Sequence, residues 1–419
     1  MIVYKFGGAA VKDADTIRNL ATIISGENSD LLMVISAMGK MTNAFELLIN
    51  KYFAKKDYRK ELEFVVTYHK NIIQELEIDK IEFSKYLSLL KNELVKGVTS
   101  NYNYEYDRII GYGELFSTII VSQYLKQHVG LDVEWIDVRN LIKTDRNYRF
   151  ANVDWQKTIE NTKQNIDFEK HKIYLTQGFI ASDKENKMTS LGREGSDYSA
   201  AILSYALSAQ SITIWKDVKG VLDVDPRIFE KTNLLEQLSF YDAIELAFFG
   251  AQVIHPKTIQ PLKNRKIPLF VRSFIELQSK GTLVSNQKIK VEYPVVIIKE
   301  NQVLLSITTR DFSFVNEKNI SSIFSILSDC NAKVNMMQNG AVSFSLVVDY
   351  MPRSFKNMID KLSIDFDLRY NVDLKLITIR YYTEEKVREL IGEQKVFLEQ
   401  KSRNTAQYLV KSIVSNEEE

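Results

Sequence analysis

Apolar residues fall into short, nearly unbroken runs that alternate with longer segments of helical period, and glycines sit where the two kinds of segment meet. Residues 2–6 (Ile-Val-Tyr-Lys-Phe) and 31–35 (Leu-Leu-Met-Val-Ile) have the length and composition of buried strands. The first ends in Gly7-Gly8 and the second in Ser36-Ala-Met-Gly39. Each turn opens into a stretch whose apolar positions recur every three or four residues. This repeated strand–turn–helix unit predicts an α/β domain with a mainly parallel sheet sandwiched by helices. Further strands are predicted over 131–138, 172–175, 211–215 and 267–271, a hairpin-like turn over 183–187, and a turn over 250–256. Helices are predicted over 105–124 and 239–249. Residues 44–97 read as a helical excursion with a solvated, charged face.

Past residues 281–287 the pattern changes. Strands at 295–300, 303–308, 333–337, 342–348, 374–380, 396–400 and 408–413 alternate with short helices at 320–327 and 384–391. That order is the one of a ferredoxin-like α+β sandwich. Two regions are therefore expected, 1–285 and 286–419. The second holds one small unit over 303–350 and a shortened one over 372–415, with residues 416–419 as a frayed tail.

Composition narrows the function classes. A length of 419 residues allows two or three domains, and a net charge of +1 gives no electrostatic case for nucleic acid or an anionic membrane. One cysteine, Cys330, excludes an intramolecular disulfide framework and, with four scattered histidines, argues against structural zinc. No apolar run approaches the roughly 20 residues that cross a bilayer, and the amino terminus lacks a signal-peptide layout. A cytoplasmic protein is expected.

Candidate chemistry gathers at turns. In Thr189-Ser-Leu-Gly-Arg-Glu-Gly-Ser-Asp197, Gly192 and Gly195 permit close backbone approaches, Ser196 is a natural N-cap, and Asp197 would fall in the first helical turn. Arg193 and Asp197 could face one small ligand bearing both a carboxylate and an amine; a capped surface helix with an Arg–Asp pair explains the same residues equally well. Gly7-Gly8 follows a strand and precedes a helix, where amides can hold phosphate and Lys5 can add a charge. The spacing is neither the dinucleotide fingerprint nor the P-loop, so a plain tight turn stays open. Ser36, Gly39 and Thr42 stand at the carboxyl end of the second strand, where open sheets bind ligands. Gly111 and Gly113 inside a helix point to a close approach. Glu114 shares a face with Ile110, Thr118 and Val121, so it is either a structural ion-pair member or an acceptor for an amino group. The segment from Lys216 to Arg227 is turn-rich and carries both charges, as a nucleotide loop would. The basic group at Lys257, Lys263, Arg265 and Lys266 is too sparse for nucleic acid.

Taken together, the ordered motifs resemble the aspartate kinases of the amino-acid kinase superfamily. They are Lys5-Phe-Gly-Gly-x-x-Val11, Ser36-Ala-Met-Gly-x-x-Thr42, Gly113-Glu114, Thr189-Ser-Leu-Gly-Arg-x-Gly-Ser-Asp197, Trp215-x-Asp-Val-x-Gly-Val221, Asp225-Pro-Arg227, Glu245-Leu-Ala-x-Phe-Gly-Ala251, His255-Pro256 and Gly281-Thr282. The resemblance implies an amino-acid kinase catalytic domain over 1–285 and paired ACT modules over 286–419, which this family uses for dimerisation and feedback control. It implies transfer of the γ-phosphoryl group of ATP to the side-chain carboxylate of L-aspartate, in the lysine, threonine and methionine branch. On that resemblance Arg193 would hold the α-carboxylate, with Glu114 and Asp197 accepting from the α-ammonium. Thr42, Ser36 and Ser196 would hold the attacking carboxylate, and Lys5 with the Gly7 and Gly8 amides would neutralise the transferring group. Lys216, Asp217, Leu222, Arg227, Gln252 and Lys257 would form the nucleotide side. Mg²⁺ would be held by ATP phosphates and water, without a protein metal site. A carboxylate is already a nucleophile at neutral pH, so no catalytic base is needed.

Departures mark this chain. Ala9-Ala10 stand where the family carries hydroxyls, Glu194 where it has glycine, and Lys216, Leu222 and Gln252 where it has Thr, Tyr and Lys. In the first small unit the loop Glu317-Lys-Asn319 lacks a glycine, Asn335 replaces an acidic residue, and Gly340-Ala341 replaces Ser-Glu. These changes argue against lysine as effector while leaving a homodimer through the ACT region in place. The chain length argues against the bifunctional form with a dehydrogenase domain. Two alternatives remain: a kinase for another small amino acid, and a degenerate kinase acting as an ACT-based amino-acid sensor.

Overall fold

The computed structural model describes residues 1–251, 254–288, 291, 293–311 and 313–412. The chain forms two compact units. The first comprises Met1–Val221, Leu234–Ala247 and Gln252–Lys290, and the second Leu222–Asn233, Phe248–Ala251 and Val291–Glu419.

The strands of the first unit are β1 (Ile2–Phe6), β2 (Leu31–Ile35), β3 (Val133–Trp135), β4 (Ile173–Gln177), β5 (Ile180–Ser182), β6 (Met188–Ser190), β7 (Ile212–Lys216), β8 (Gln237–Ser239), β9 (Leu269–Ser273) and β10 (Thr282–Ser285). Eight of them form one sheet in the order β3-β4-β2-β1-β7-β9-β10-β8. From β3 to β9 all neighbours are parallel, whereas β10 runs antiparallel to β9 and parallel to β8. β5 and β6 form a separate hairpin. All five residues of β2 are buried, as an unbroken apolar run covered on both faces requires. Because β1 and β2 are central neighbours, their carboxyl ends bring the Gly7-Gly8 and Ser36–Gly39 turns together.

Around this sheet lie α1 (Ala14–Ser25), α2 (Met41–Phe53), α3 (Arg59–Glu75), α4 (Ile81–Val95), α5 (Tyr102–Ile110), α6 (Tyr112–Tyr124), α7 (Trp155–Asn165), α8 (Gly195–Leu207), α9 (Phe240–Phe249) and α10 (Pro256–Arg265). The helical excursion resolves into α2, α3 and α4. The expected 105–124 helix is instead two, broken at Gly111. A Cβ there would lie 2.3 Å from Met188 Sδ and 2.8 Å from Ile180 Cγ2, so a side chain at this position would have to displace both where α5 and α6 close onto the β5–β6 hairpin. The expected 131–138 strand is only three residues long, because the chain leaves the sheet into a short turn capped by Asp137. His69 is a core residue between Phe83 and Phe116, its Nδ1 2.7 Å from Val65 O, and burial lowers its pKa to about 4.

The second unit is built on a six-stranded antiparallel sheet of β11 (Val295–Thr309), β12 (Val334–Asn339), β13 (Ser343–Asp349), β14 (Phe366–Arg380), β15 (Val396–Lys401) and β16 (Thr405–Lys411). Its helices are α11 (Glu317–Asp329), α12 (Pro352–Leu362) and α13 (Glu384–Ile391). The order is β12-β13-β11-β14-β16-β15. The two strands expected at 295–300 and 303–308 are one, with register irregularities between Lys299 and Leu304. β14 likewise extends well before residue 374. Two ferredoxin-like modules therefore share a continuous sheet. The carboxyl half of β11 joins α11, β12, β13, α12 and the start of β14, burying Leu305, Ile323, Leu346 and Leu362. The amino half of β11 completes the other module beside the end of β14, α13, β15 and β16, burying Val296, Ile379, Val387 and Val410. The apparent shortening of the second module thus reflects a strand supplied from upstream in the chain. Part of the expected 408–413 strand and the 416–419 tail lie outside the described residues. Among the described residues no helix is long and apolar enough to cross a membrane.

Candidate active site

A cavity of about 610 Å³ opens in the first unit at the carboxyl ends of β1, β2 and β7. β1 delivers Lys5 and the Gly7-Gly8-Ala9 turn to its wall, β2 delivers Ser36, and β7 delivers Trp215, Lys216 and Asp217. Thr42 comes from the start of α2, Glu114 from α6, and Arg193 to Asp197 from the turn into α8. This is where a mostly parallel open sheet presents its ligands.

The glycine turn is tightly fixed. Gly39 N donates to Gly8 O at 2.9 Å, and a Cβ on Gly8 would fall 2.7 Å from Ala37 O and 2.8 Å from Gly39 O. The two strand-end turns therefore touch backbone to backbone. At the floor, Lys5 Nζ stands 2.6 Å from Asp197 Oδ1, and both side chains are buried. Burial would push the Asp197 carboxyl up, but the ammonium groups of Lys5 and Lys216 hold it below its ordinary value. The expected Ser196 N-cap is not formed. α8 begins at Gly195, and Glu194 precedes it in the left-handed region at φ +53°. The Glu194 carboxylate turns to accept from His255 N at 3.0 Å, at the start of α10.

Among the described residues Glu114, unlike Asp197, has no counter-charge. It is buried, its Oε1 accepts a long 3.4 Å hydrogen bond from Ala37 N, and among the described residues its Oε2 has no partner. Burial pushes its pKa up to about 8. Arg193 is exposed on the cavity wall and makes no hydrogen bond or ion pair among the described residues. The cavity thus combines a carboxylate without a cation, a guanidinium without an anion, and a lysine–aspartate pair beside a glycine turn.

Eleven of the residues given a binding or catalytic role in the sequence border this space: Lys5, Gly7, Gly8, Ser36, Thr42, Glu114, Arg193, Ser196, Asp197, Lys216 and Asp217. The remaining nucleotide-side residues are placed otherwise. Lys257 sits in the first turn of α10 and is not in the wall. Leu222 and Arg227 belong to the second unit, where Arg227 pairs with Asp225 at 2.6 Å. Gln252 lies outside the described residues. Ser190 stood inside the Thr189–Asp197 motif without a role of its own, and sequence reasoning missed Glu46, Tyr106, Arg149, Phe150, Phe179 and Phe274 in the wall. Phe179 had a signal in the preceding Gly178, where a Cβ would lie 2.5 Å from Ser196 Cβ. The others had none.

Residues 1–273 match the model of the amino acid kinase family. Lysine-sensitive aspartokinase 3 of Escherichia coli (strain K12) is 30% identical over 363 residues, covering 83% of this chain and 78% of that protein. The chain belongs to the amino acid kinase family, among its aspartokinases. The bifunctional aspartokinase/homoserine dehydrogenase 2 of Arabidopsis thaliana is 32% identical over 82% of this chain, yet the match spans only 39% of that longer relative. Among solved structures, E. coli aspartokinase III in complex with aspartate and ADP superposes with a TM-score of 0.81 at 25% identity, covering 98% of this chain and 96% of that one. Clostridium acetobutylicum aspartate kinase reaches the same TM-score at 22% identity, a likeness of fold. For this family member the combined α/β and ferredoxin-like architecture expected from the sequence is the observed one.

Proposed function

We propose that this chain transfers the γ-phosphoryl group of ATP to the side-chain carboxylate of L-aspartate, giving 4-phospho-L-aspartate and ADP. The observation that carries this reading is the charge state of the cavity. Among the described residues buried Glu114 lacks a cation and Arg193 lacks an anion, and Lys5 borders the cavity with the Gly7-Gly8 turn. An α-amino acid supplies an ammonium for the first and a carboxylate for the second, leaving its side chain to face Lys5 and Gly8. A guanidinium fork suits the α-carboxylate, and Asp197 offers a second acceptor for the ammonium. Thr42, Ser36 and Ser196 border the cavity with hydroxyls that can orient the side-chain carboxylate.

In the transfer, a carboxylate oxygen of aspartate forms a bond to the γ-phosphorus while the bond to the β,γ-bridging oxygen breaks, and ADP leaves with that electron pair. No proton has to be removed from the nucleophile. The protein's contribution is alignment and neutralisation of charge by Lys5 and the Gly7 and Gly8 amides. A magnesium ion carried by the nucleotide would be held mainly by phosphates and water, and Asp217, exposed on the cavity wall, is one carboxylate that could add to them. Such an ion would neutralise phosphate charge.

The second unit serves dimerisation and amino-acid response in this reading. Asn335 Oδ1 already accepts from Lys299 Nζ at 2.8 Å, and Asn335 Nδ2 donates to Gln302 and Asp349, both at 2.7 Å. A side chain so committed, with a lysine ammonium of its own unit beside it, supports an effector other than lysine.

The test is aspartate-dependent ADP release, with the acyl phosphate trapped by hydroxylamine. Wild-type protein is expected to turn over with aspartate and not with glutamate, while Arg193→Ala and Asp197→Ala lose hydroxamate formation and keep their fold. Absence of aspartate-dependent turnover in the wild type overturns the reading.

A further inference from the structure

We infer that Arg149 is a second substrate-contacting guanidinium, sharing the α-carboxylate of the amino-acid substrate with Arg193; this rests on the aspartate kinase reading above. Arg149 borders the same cavity as Arg193 but comes from the loop that follows β3. Its backbone is in the left-handed region at φ +70°, a conformation that a long side chain rarely adopts. Strain of this kind persists where surrounding structure imposes it, and it collects at ligand clamps. Here the imposing group is Asp107, a buried carboxylate on α5, which accepts from Arg149 N at 2.9 Å.

The same carboxylate accepts from Ser190 N at 2.8 Å and from Ser190 Oγ at 2.5 Å. Ser190 lies three residues before Arg193. Ala151 N also donates to Ser190 O at 3.0 Å. One step further along, a Cβ on Gly192 would lie 2.8 Å from Phe150 Cδ1 and 3.1 Å from Arg149 O. Asp107 and this glycine therefore clamp together the two loops that carry the two arginines.

The Arg149 guanidinium is not committed to a carboxylate. Among the described residues it makes no ion pair, and it lies over the ring of Tyr106 at 4.3 Å. Tyr106 is itself held by its hydroxyl donating to Glu46 Oε1 at 2.8 Å. A stacked guanidinium keeps its N–H edge open for hydrogen bonding while its plane is fixed, the arrangement that favours planar recognition of a carboxylate. Two guanidiniums from clamped loops can each take one edge of a single carboxylate. The ligand class is thus an amino acid with a free α-carboxylate, and its α-amide is a poor substitute.

The experiment compares wild type, Arg149→Met and Arg149→Lys with L-aspartate and with aspartate α-amide. Methionine keeps length and packing on Tyr106 without the charge. For Arg149→Met the aspartate KM is expected to rise about 10- to 100-fold, the loss expected for a charged hydrogen bond. The ATP KM stays within twofold, and the preference for aspartate over its α-amide falls by a similar factor. Arg149→Lys recovers part of that preference. An aspartate KM within twofold of wild type with the preference intact overturns the inference. So does a parallel rise of both KM values with a lowered melting temperature, which assigns Arg149 a packing role. If wild type shows no turnover with aspartate, the functional reading has failed by itself. Equilibrium binding of L-aspartate to wild type and Arg149→Met then decides: weaker binding by the variant supports the contact, and equal or absent binding overturns it.

Discussion

Replacing Glu114 with glutamine is expected to stabilise the ligand-free protein, and increasingly so as the pH rises. The carboxyl is buried, with one long hydrogen bond from Ala37 N and, among the described residues, no cation beside it. Burial moves its pKa from 4.5 to about 8. Between those two values the folded protein keeps a proton that the unfolded chain has released, so stability falls as pH rises through this window. The slope is about 1.36 kcal/mol per pH unit. The loss is on the order of 3 kcal/mol at pH 7 and levels off near 5 kcal/mol above about pH 8. Glutamine is neutral throughout and keeps an acceptor for Ala37 N, so the Glu114→Gln advantage should follow the same curve. Chemical denaturation of both proteins without ligand, from pH 5 to 8.5, measures it. A difference that is flat with pH, or a variant less stable than wild type at pH 7.5, refutes the reasoning. The same physics predicts a binding signature. With Glu114 in the role proposed above, a substrate ammonium would supply the missing counter-charge and let it ionise, so about 0.9 proton should leave per aspartate bound at pH 7. Titration calorimetry in buffers of different ionisation enthalpy reads this release directly, and Glu114→Gln should release none.

Two further outcomes follow from buried contacts. Gly111→Ala puts a methyl into Met188 and Ile180 and should cost about 1–3 kcal/mol of stability, with Gly111→Ala/Met188→Ala recovering part of the loss in thermal melts. His69 titrates at about 4 when folded and near 6.5 when unfolded. Its neutral form therefore contributes stability that is present above about pH 6.5 and lost as pH falls toward 4, and His69→Phe should flatten that acid limb in denaturation measured across the range.

What could be read from the chain follows from where burial leaves a mark. β1 and β2 were legible because strands covered on both faces are unbroken apolar runs, and the turns that follow them carry the glycines that Gly8 and Gly39 require. Lys5 stood out beside the first of these turns, Arg193 and Asp197 around the Gly192–Gly195 turn, and Glu114 by sharing a partly apolar helix face. The break at Gly111 was not legible, since an apolar period continues through it and only the contact with Met188 explains it. β11 looked like two strands because Lys299 to Gln302 interrupts the apolar pattern, yet the sheet absorbs that interruption as a register irregularity. α12 carries its own signals, a proline in its first turn and an amphipathic period. Arg149 left no trace at all: its place depends on a left-handed backbone and on Asp107, more than 40 residues away in sequence.

The Lys5–Asp197 contact also ties the two ligands to each other. In the empty protein each group neutralises the other at 2.6 Å. A polyphosphate that draws Lys5 toward itself leaves Asp197 with one cation fewer, and so more receptive to an ammonium. An ammonium that reaches Asp197 first leaves Lys5 free for phosphate. Linkage requires the two effects to be equal, so either ligand prepares the site for the other by the same factor. With Lys5 and Asp197 in the roles proposed above, a single ion pair at the end of the central strand would make nucleotide and amino acid mutually cooperative, with no movement of the sheet required.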